Sequence, residues 1–439
     1  MIRDDGFPPE DKISSGGGDA GRDGDADEEP ILKYQRMGAD LGKLLRGGDS
    51  VVRIAVHDSY MAFGTKKGEV HLTDYHGNKS RVLKPHSQPV TDISIDMAGD
   101  FLASSSEDGT VVISGLQPQQ GGAPPPPEVY NFKSPILAVH LDPQYGRKKD
   151  KIFAAGGTRG RLLLNKRGWL VHEETLLHEG EGPISAIAWR GPLVAWASER
   201  GVKIMDVEKG KGGERISYVD RPRSTVDFKA HGCRCHLLWE TQTRLLVAWG
   251  DTVMILQVLV REHPACRRHT IIHSAATSAT GQRAEGRASP PIPLPLIQLQ
   301  PELATPQRYT QIVAVWQSDC LVCGVSPFNQ DSLILLGYVV EEEEEEEEEG
   351  EAEGLEEKGG GRVALGMFQP EVHLVKRATG EVFSADTIPL HGWERTRAGD
   401  LLLRSTCWSM SAYRQDTKAN ATDVAESTGA GQGRHCLGF

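Results

Sequence analysis

An all-β fold built from one recurring strand unit is what this 439-residue sequence predicts. Three observations carry that expectation. Short apolar runs alternate every second residue along most of the chain. A three-part unit of alternating strand, small apolar strand and Gly- or Asp-centred turn into another alternating strand keeps returning. The turn glycines Gly68, Gly109, Gly160, Gly201 and Gly250 fall 41, 51, 41 and 49 residues apart. Self-similarity at a period of about 40–50 residues marks a propeller, in which each unit is one blade. The expected architecture is therefore a WD40-like β-propeller of six or seven blades.

The units follow in order. Val51 to Gly77 gives the first, Val90 to Leu116 the second, Ile136 to Trp169 the third, Ile184 to Val207 the fourth and Cys235 to Val258 the fifth. The stretch from Leu176 to Asp206 shows the grammar most plainly. Alternation puts one side of each strand into the packing between blades. Small residues such as Ala103, Ser104, Ala154, Ala155, Gly156 and Ala197 suit a second strand lying close to its neighbours. Each turn glycine is expected to supply the positive φ of a tight hairpin. A generic β-sandwich would also contain hairpins, but it has no reason to repeat one unit at near-fixed spacing. A fainter sixth unit combines Ile312–Trp316, Cys320–Val325 and Ser332–Val340, and Glu371–Lys376 with Glu381–Phe383 suggests a seventh.

Between the patterned stretches the composition changes. Residues 1–29 are rich in Gly, Asp and Ser with almost no large apolar side chains, and are expected to form a disordered acidic extension. The propeller is assigned to 30–404, with a Pro-rich loop at 279–306 and a Glu/Gly-rich insert at 341–361. Residues 405–439 read as an unstructured tail.

The net charge of −12 hides an asymmetry. Residues 1–29 carry a net −7 and residues 341–360 a net −12, leaving +7 on the remainder. Runs of like charge that dense repel and stay solvated. The folded body is thus mildly basic, compatible with acidic partners or anionic membrane surfaces. Its Lys and Arg are not clustered as nucleic-acid binding requires, so no nucleic-acid partner is expected. The N-terminus lacks the basic and apolar regions of a signal peptide. The apolar run Leu333–Val340 is far below the ~20 residues that cross a bilayer. A cytosolic or peripheral protein is expected, with its seven Cys reduced.

Several constellations invite chemistry. Cys320-x-x-Cys323 has the spacing of half a zinc site but no second ligand pair nearby, so two strand cysteines are expected. Cys233-x-Cys235-His236 falls short of four ligands, and adjacent strand positions face opposite ways. His178-Glu179-Gly180-Glu181-Gly182 resembles a catalytic cluster, yet its glycines suit a turn between blades, structural or partner-facing. The Gly-rich pieces Gly16–Gly18 and Gly359–Gly361 lack the flanks and Lys-Ser/Thr of a phosphate loop. Ser289–Pro295 holds a P-x-x-P spacing that reads as a spacer. Trp189, Trp196, Trp239, Trp249 and Trp316 stand in strands and are expected to be core. No catalytic, cofactor-binding or metal-binding residue is assigned, and no contact residue for a partner can be named.

The segment Leu177–Val207 closely resembles the propeller of the vacuolar protein sorting-associated protein forty-one family, a subunit of the HOPS tethering complex. Leu32-Lys33-Tyr34, Val56-His57-Asp58 with Phe63-Gly64-Thr65, Cys235, Trp239 and Trp249-Gly250, Gly337-Tyr338-Val339 and Gln369-Pro370-Glu371 match it in order. The resemblance spans about Pro30 to Arg404. It implies a non-enzymatic protein without cofactors, acting in vesicle-mediated transport from Golgi and late endosome to vacuole or lysosome, autophagy included. The partners implied are the other HOPS subunits, a late-endosomal Rab GTPase, a vesicle-coat adaptor and an anionic membrane surface. The implied location is the cytosol and the cytosolic surface of late endosome and vacuole. Family members carry the propeller ahead of a helical solenoid and a zinc-binding RING-type domain, so this sequence is expected to be the head alone. The rival reading is an unrelated WD40 scaffold of another complex, since a fold does not fix a function.

Overall fold

Alternating runs this short and this regularly punctuated pair with their sequence neighbours before anything else. The computed structural model describes residues 32–34, 48–117, 122, 124–167, 173–209, 213–222, 234–261, 307–340, 368–388, 413–414 and 435–437. A two-residue strand, β1 (Lys33–Tyr34), comes first. Blade one is β2 (Val51–His57), β3 (Tyr60–Thr65), β4 (Val70–Thr73) and β5 (Lys79–Leu83). Blade two is β6 (Val90–Ile95), β7 (Phe101–Ser106), β8 (Thr110–Gly115) and β9 (Glu128–Asn131). Blade three is β10 (Ile136–Leu141), β11 (Ile152–Gly157), β12 (Leu162–Lys166) and β13 (Glu173–His178). Blade four is β14 (Ala186–Arg190), β15 (Leu193–Ala197), β16 (Gly201–Asp206) and β17 (Glu214–Asp220). Blade five is β18 (His236–Trp239), β19 (Arg244–Trp249), β20 (Thr252–Arg261) and β21 (Gln307–Gln317). Blade six is β22 (Leu321–Pro327), β23 (Ser332–Val340), β24 (Phe368–Lys376) and β25 (Val382–Thr387).

Each blade is a four-stranded antiparallel meander in chain order. The first strand of each blade touches the first strand of the next, from β2 through β6, β10, β14 and β18 to β22. That places the first strands around a common axis and the fourth strands at the rim. The fold is the expected β-propeller, with six blades. Two short strands of the expected tail, β26 (Tyr413–Arg414) and β27 (His435–Leu437), form a small sheet with β1. The remainder of 405–439 lies outside the described residues, as do 1–29, 279–306 and 341–361.

The expected sixth and seventh units merge into one blade. Ile312–Trp316 belongs to β21, the rim strand of blade five, and pairs with β20 across the insertion 262–306. Glu371–Lys376 and Val382–Phe383 lie in the third and fourth strands of blade six. Long insertions split two hairpins, so strands that pair are far apart in sequence and read as separate units.

The core is a series of wedges between blades. Leu193, Ala195 and Ala197 of β15 pack toward blade five, while Val194 and Trp196 of the same strand pack toward blade three. Likewise Leu245, Val247 and Trp249 of β19 face blade four, and Leu246 and Ala248 face blade six. Second strands are therefore apolar on both sides, each side serving a different neighbour. Trp196 is fully buried, and a side chain of that size contributes about 3 kcal/mol of transfer free energy. Glycine allows the closest approach. A methyl group on Gly64 would stand 2.7 Å from Val90 of blade two, and one on Gly156 2.6 Å from Ile184. Four of the five turn glycines have positive φ: Gly68, Gly109, Gly160 and Gly250. Gly201 does not. It opens β16, and its Cβ would meet the Val219 carbonyl at 2.1 Å, so crowding and not turn geometry requires glycine there. Blade six buries its second flank, Ile334, Leu336, Val372 and Leu374, with Leu32. Tyr34 adds a hydrogen bond to the Asp386 carboxylate, 2.5 Å away.

Candidate functional site

The axis of the ring is where blades converge, and polar side chains converge with them. Thr91 and Asp92 of β6 are the meeting point. Arg234, two residues ahead of β18, places its guanidinium 3.0 Å from the Asp92 carboxylate and donates to the Thr91 carbonyl at 3.1 Å. Arg53 of β2 also donates to the Thr91 carbonyl, and to Val52 O at 2.7 Å. The second Asp92 oxygen accepts the Val139 amide of β10 at 3.1 Å. Blades one, two, three and five thus meet at two adjacent residues. Alternating strand residues point inward and outward, which is how single polar positions in apolar strands reach the axis. His236 of β18 lies beside both guanidinium groups. Burial, then Arg234 and Arg53, push its pKa down to about 3. His140 of β10 is likewise held below its ordinary value by burial. Among the described residues, Arg53, Arg234, Asp92 and the imidazoles of His140 and His236 therefore gather near the axis, and hydrogen bonds between blades occupy the carboxylate.

The cluster His178–Gly182 runs from the last residue of β13 into the connection from blade three to blade four, and it is a brace. Glu181 Oε1 is 2.5 Å from Lys203 Nζ in β16, and Ser198 Oγ donates to its other oxygen at 3.4 Å. His178 Nε2 stands 3.3 Å from Glu181 Oε2, and its ring contacts Trp196. Lys203 is nearly inaccessible, so the pair neutralises a buried ammonium. Hydrogen bonding and attraction from Lys203 outweigh burial and hold Glu181 below the usual carboxylate range. His178 is pushed down, first by burial and then by Lys203.

A second brace joins blades one and two at residues that no motif above singles out. His86, in the connection from blade one to blade two, has its side chain fully buried. Its Nε2 is 2.8 Å from Ser104 Oγ, and its Nδ1 is 2.9 Å from Thr110 Oγ1. Asp108 lies 3.4 Å away, accepts the Ser87 amide at 3.0 Å and accepts the Thr110 hydroxyl at 2.6 Å. The spacing His86…Ser104…Asp108-x-Thr110 is the signal that could have found it.

Of the cysteines expected in strands, Cys323 lies in β22, whereas Cys320 stands one residue ahead of that strand; Cys235 likewise stands one residue ahead of β18. Cys320 and Cys323 are buried and free, the first with its Sγ 3.2 Å from Ser318 Oγ and its pKa raised by burial to about 11. Cys235 is buried between blades four and five, with burial raising its thiol, while His236 belongs to the axis. Cys233 lies outside the described residues. Among the described residues no group of three or more His, Cys, Asp or Glu has metal-site geometry. The five tryptophans are core, as expected: Trp189 and Trp196 between blades three and four, Trp239 and Trp249 between four and five, Trp316 between five and six. The indole of Trp239 donates to Ala188 O at 3.1 Å, linking blade five to blade four. Gly16–Gly18, Ser289–Pro295 and Gly359–Gly361 lie outside the described residues.

What remains open to a partner is the loop surface. In an antiparallel meander, the turn from second to third strand and the connection to the next blade emerge at the same end. That end carries the exposed cations Lys66 and Lys67, Lys84, Lys133, Arg159 and Arg200 from blades one to four. The exposed anions Glu107, Glu179 and Glu199 stand among them.

Comparison with known proteins agrees with this architecture. The model of the Vps41 β-propeller family, described as "Vps42 beta-propeller", matches residues 32–414. The vacuolar protein sorting-associated protein 41 homolog of Arabidopsis thaliana is 31% identical over 388 residues, 88% of this chain and 34% of that protein. The Homo sapiens homolog is 29% identical over 85% of this chain and 36% of its own length. Vacuolar protein sorting-associated protein 41 of Saccharomyces cerevisiae is 24% identical over 84% of this chain and 38% of its own length. The chain spans about a third of the length of the curated relatives it matches. With the family's propeller covering most of its length, the chain belongs to the Vps41 β-propeller family.

Proposed function

We propose that this chain is a non-enzymatic docking head in vacuolar protein sorting, acting within a HOPS-type tethering complex. The match of residues 32–414 to the Vps41 propeller carries the reading. The relatives are named for vacuolar protein sorting, and this chain inherits that role by family. The site's chemistry supports a docking role over catalysis. Asp92 and Glu181, the carboxylates best placed to look catalytic, are each engaged by a buried cation and an amide or hydroxyl donor.

The loop face of blades one to four is the surface we assign to partners. Its excess of exposed cations favours an acidic protein or an anionic membrane, because charge steers encounter over a Debye length of about 8 Å. The partners in this reading are the other HOPS and vacuolar sorting subunits, a late-endosomal Rab GTPase, a vesicle-coat adaptor and the anionic membrane surface. The location is cytosolic, peripheral on late endosome and vacuole or lysosome. No helix among the described residues is long and apolar enough to cross a membrane.

Immobilised chain presented with the late-endosomal Rab, loaded with GTP or GDP, tests this directly. Retention of the GTP form, weakened by Lys133→Glu with Arg159→Glu, is the expected result. Equal retention of both nucleotide forms, or none, would overturn the Rab assignment. Flotation with phosphatidylserine vesicles checks the membrane assignment separately.

A further inference from the structure

The rim strand of blade five differs from every other rim strand. β21 is 11 residues long, where β5, β9, β13, β17 and β25 have four to seven. Its one charged residue, Arg308, is tied to Asp206 of blade four, and from Tyr309 to Gln317 it holds no charged side chain. The others carry Lys79 and Arg81, Glu128, Glu173 and Glu174, Glu214, Arg215 and Asp220, and Asp386. Ile312, Val313 and Val315 are 51%, 56% and 58% exposed, with Tyr309 and Val260 of the adjoining strand exposed beside them. An edge strand presents free N–H and C=O groups to any passing strand, and proteins usually guard such edges with charge. Blade five presents the longest rim strand without that guard, and coats it with β-branched side chains.

We propose that β21 is a self-association edge, where two copies of this chain pair antiparallel across a twofold axis and join their fifth blades into one sheet. A twofold interface must be complementary to itself. Val313 is the extra residue of a bulge in β21, since Ile255 pairs with Ala314 and Leu256 with Ile312; on either side of it, pairing centred on Ile312 sets Gln307 toward Gln317 and Tyr309 toward Val315, so no like charges meet. The same operation on β17, centred on Ser217, would set Glu214 against Asp220. On β5, centred on Arg81, it would set Arg81 against itself. Like charges directly opposite destabilise a strand pair. The ends of the β21 joint are complementary in charge. Arg261 is exposed and lies beside Gln307 in the β20–β21 register, and Asp319 is exposed two residues beyond Gln317. The twofold therefore brings the cation of each copy to the same end as the anion of the other.

Sedimentation velocity of the chain at micromolar concentration tests the inference. A dimer is expected. Val313→Lys with Val315→Lys should give a monomer with an unchanged melting curve, because both side chains already stand in water. Arg261→Asp should weaken the dimer about fivefold, the scale of exposed ion pairs counted twice. Arg261→Asp combined with Asp319→Arg should restore it. A monomeric wild type, or a dimer that survives the two lysines, overturns the inference. So does a chain that dimerises only after residues 263–306 are removed, since that assigns the edge to the insertion.

Discussion

Arg234 and Asp92 meet at 3.0 Å although they belong to blades five and two, which stand opposite each other in a ring of six. The pair spans the axis, and both side chains are largely buried. Removing one partner strands the other charge away from water, which costs about 3 kcal/mol. Arg234→Met and Asp92→Asn should each lower stability by about that much in urea titrations. The double variant should lose less than the sum, because no buried charge is left unpaired. Additive losses would mean that the two residues act independently and that the pair does not tie the ring.

His86→Ala should be among the costliest single changes in the connecting segments. It leaves Ser104 Oγ and the Thr110 hydroxyl without the imidazole, and removes a neighbour of Asp108. Unsatisfied buried polar groups cost about 1–3 kcal/mol each. The loss should appear in hydrogen exchange as faster opening of the β6–β9 sheet, with blade four little affected. Uniform acceleration across all blades would show that the brace serves the whole ring and not one blade.

Much of this architecture was legible because the strands that matter most are apolar on both sides. β15 and β19 feed two neighbouring wedges each, so they stand out as continuous apolar runs, β15 between Gly191 and Gly201 and β19 closed by Gly250. The fourth strands were harder. β9 is EVYN and β13 begins with two glutamates, and half-solvated rim strands carry no strong period. Blade count needed coordinates, because the insertions 262–306 and 341–367 fall inside hairpins and break the spacing that identifies a blade. The axis cluster was illegible for another reason. Arg53, Asp92 and Arg234 are 39 and 142 residues apart in sequence, and only ring closure brings them together.

Gly337 offers a local test of wedge packing. A Cβ there would stand 2.3 Å from Cys320 Sγ and 3.0 Å from the Leu321 carbonyl. Gly337→Ala should therefore destabilise the chain by about 1–3 kcal/mol through overpacking. Adding Cys320→Ala removes the sulfur but leaves the residue-320 Cβ at 2.9 Å and the carbonyl, so it should recover part of the loss. Full recovery would show that backbone crowding at β22 contributes nothing.

Acid should unfold this propeller early. His86, His140, His178 and His236 all have pKa values below the ordinary 6.5, with burial the first cause in each. The unfolded chain therefore binds more protons than the folded one as pH falls below about 6.5, and stability drops with pH through that window. Asp108 and Glu181 are held below their ordinary carboxylate values, and they add a loss of the same sign at lower pH. Melting temperature should fall steadily from pH 7 to pH 5. His236 lies beside two guanidinium groups and should contribute most, so His236→Asn should flatten the pH profile more than it changes the melting temperature at pH 8. A profile of unchanged slope in that variant would place the acid sensitivity at His140 or in the blade-to-blade braces at His86 and His178, not at His236.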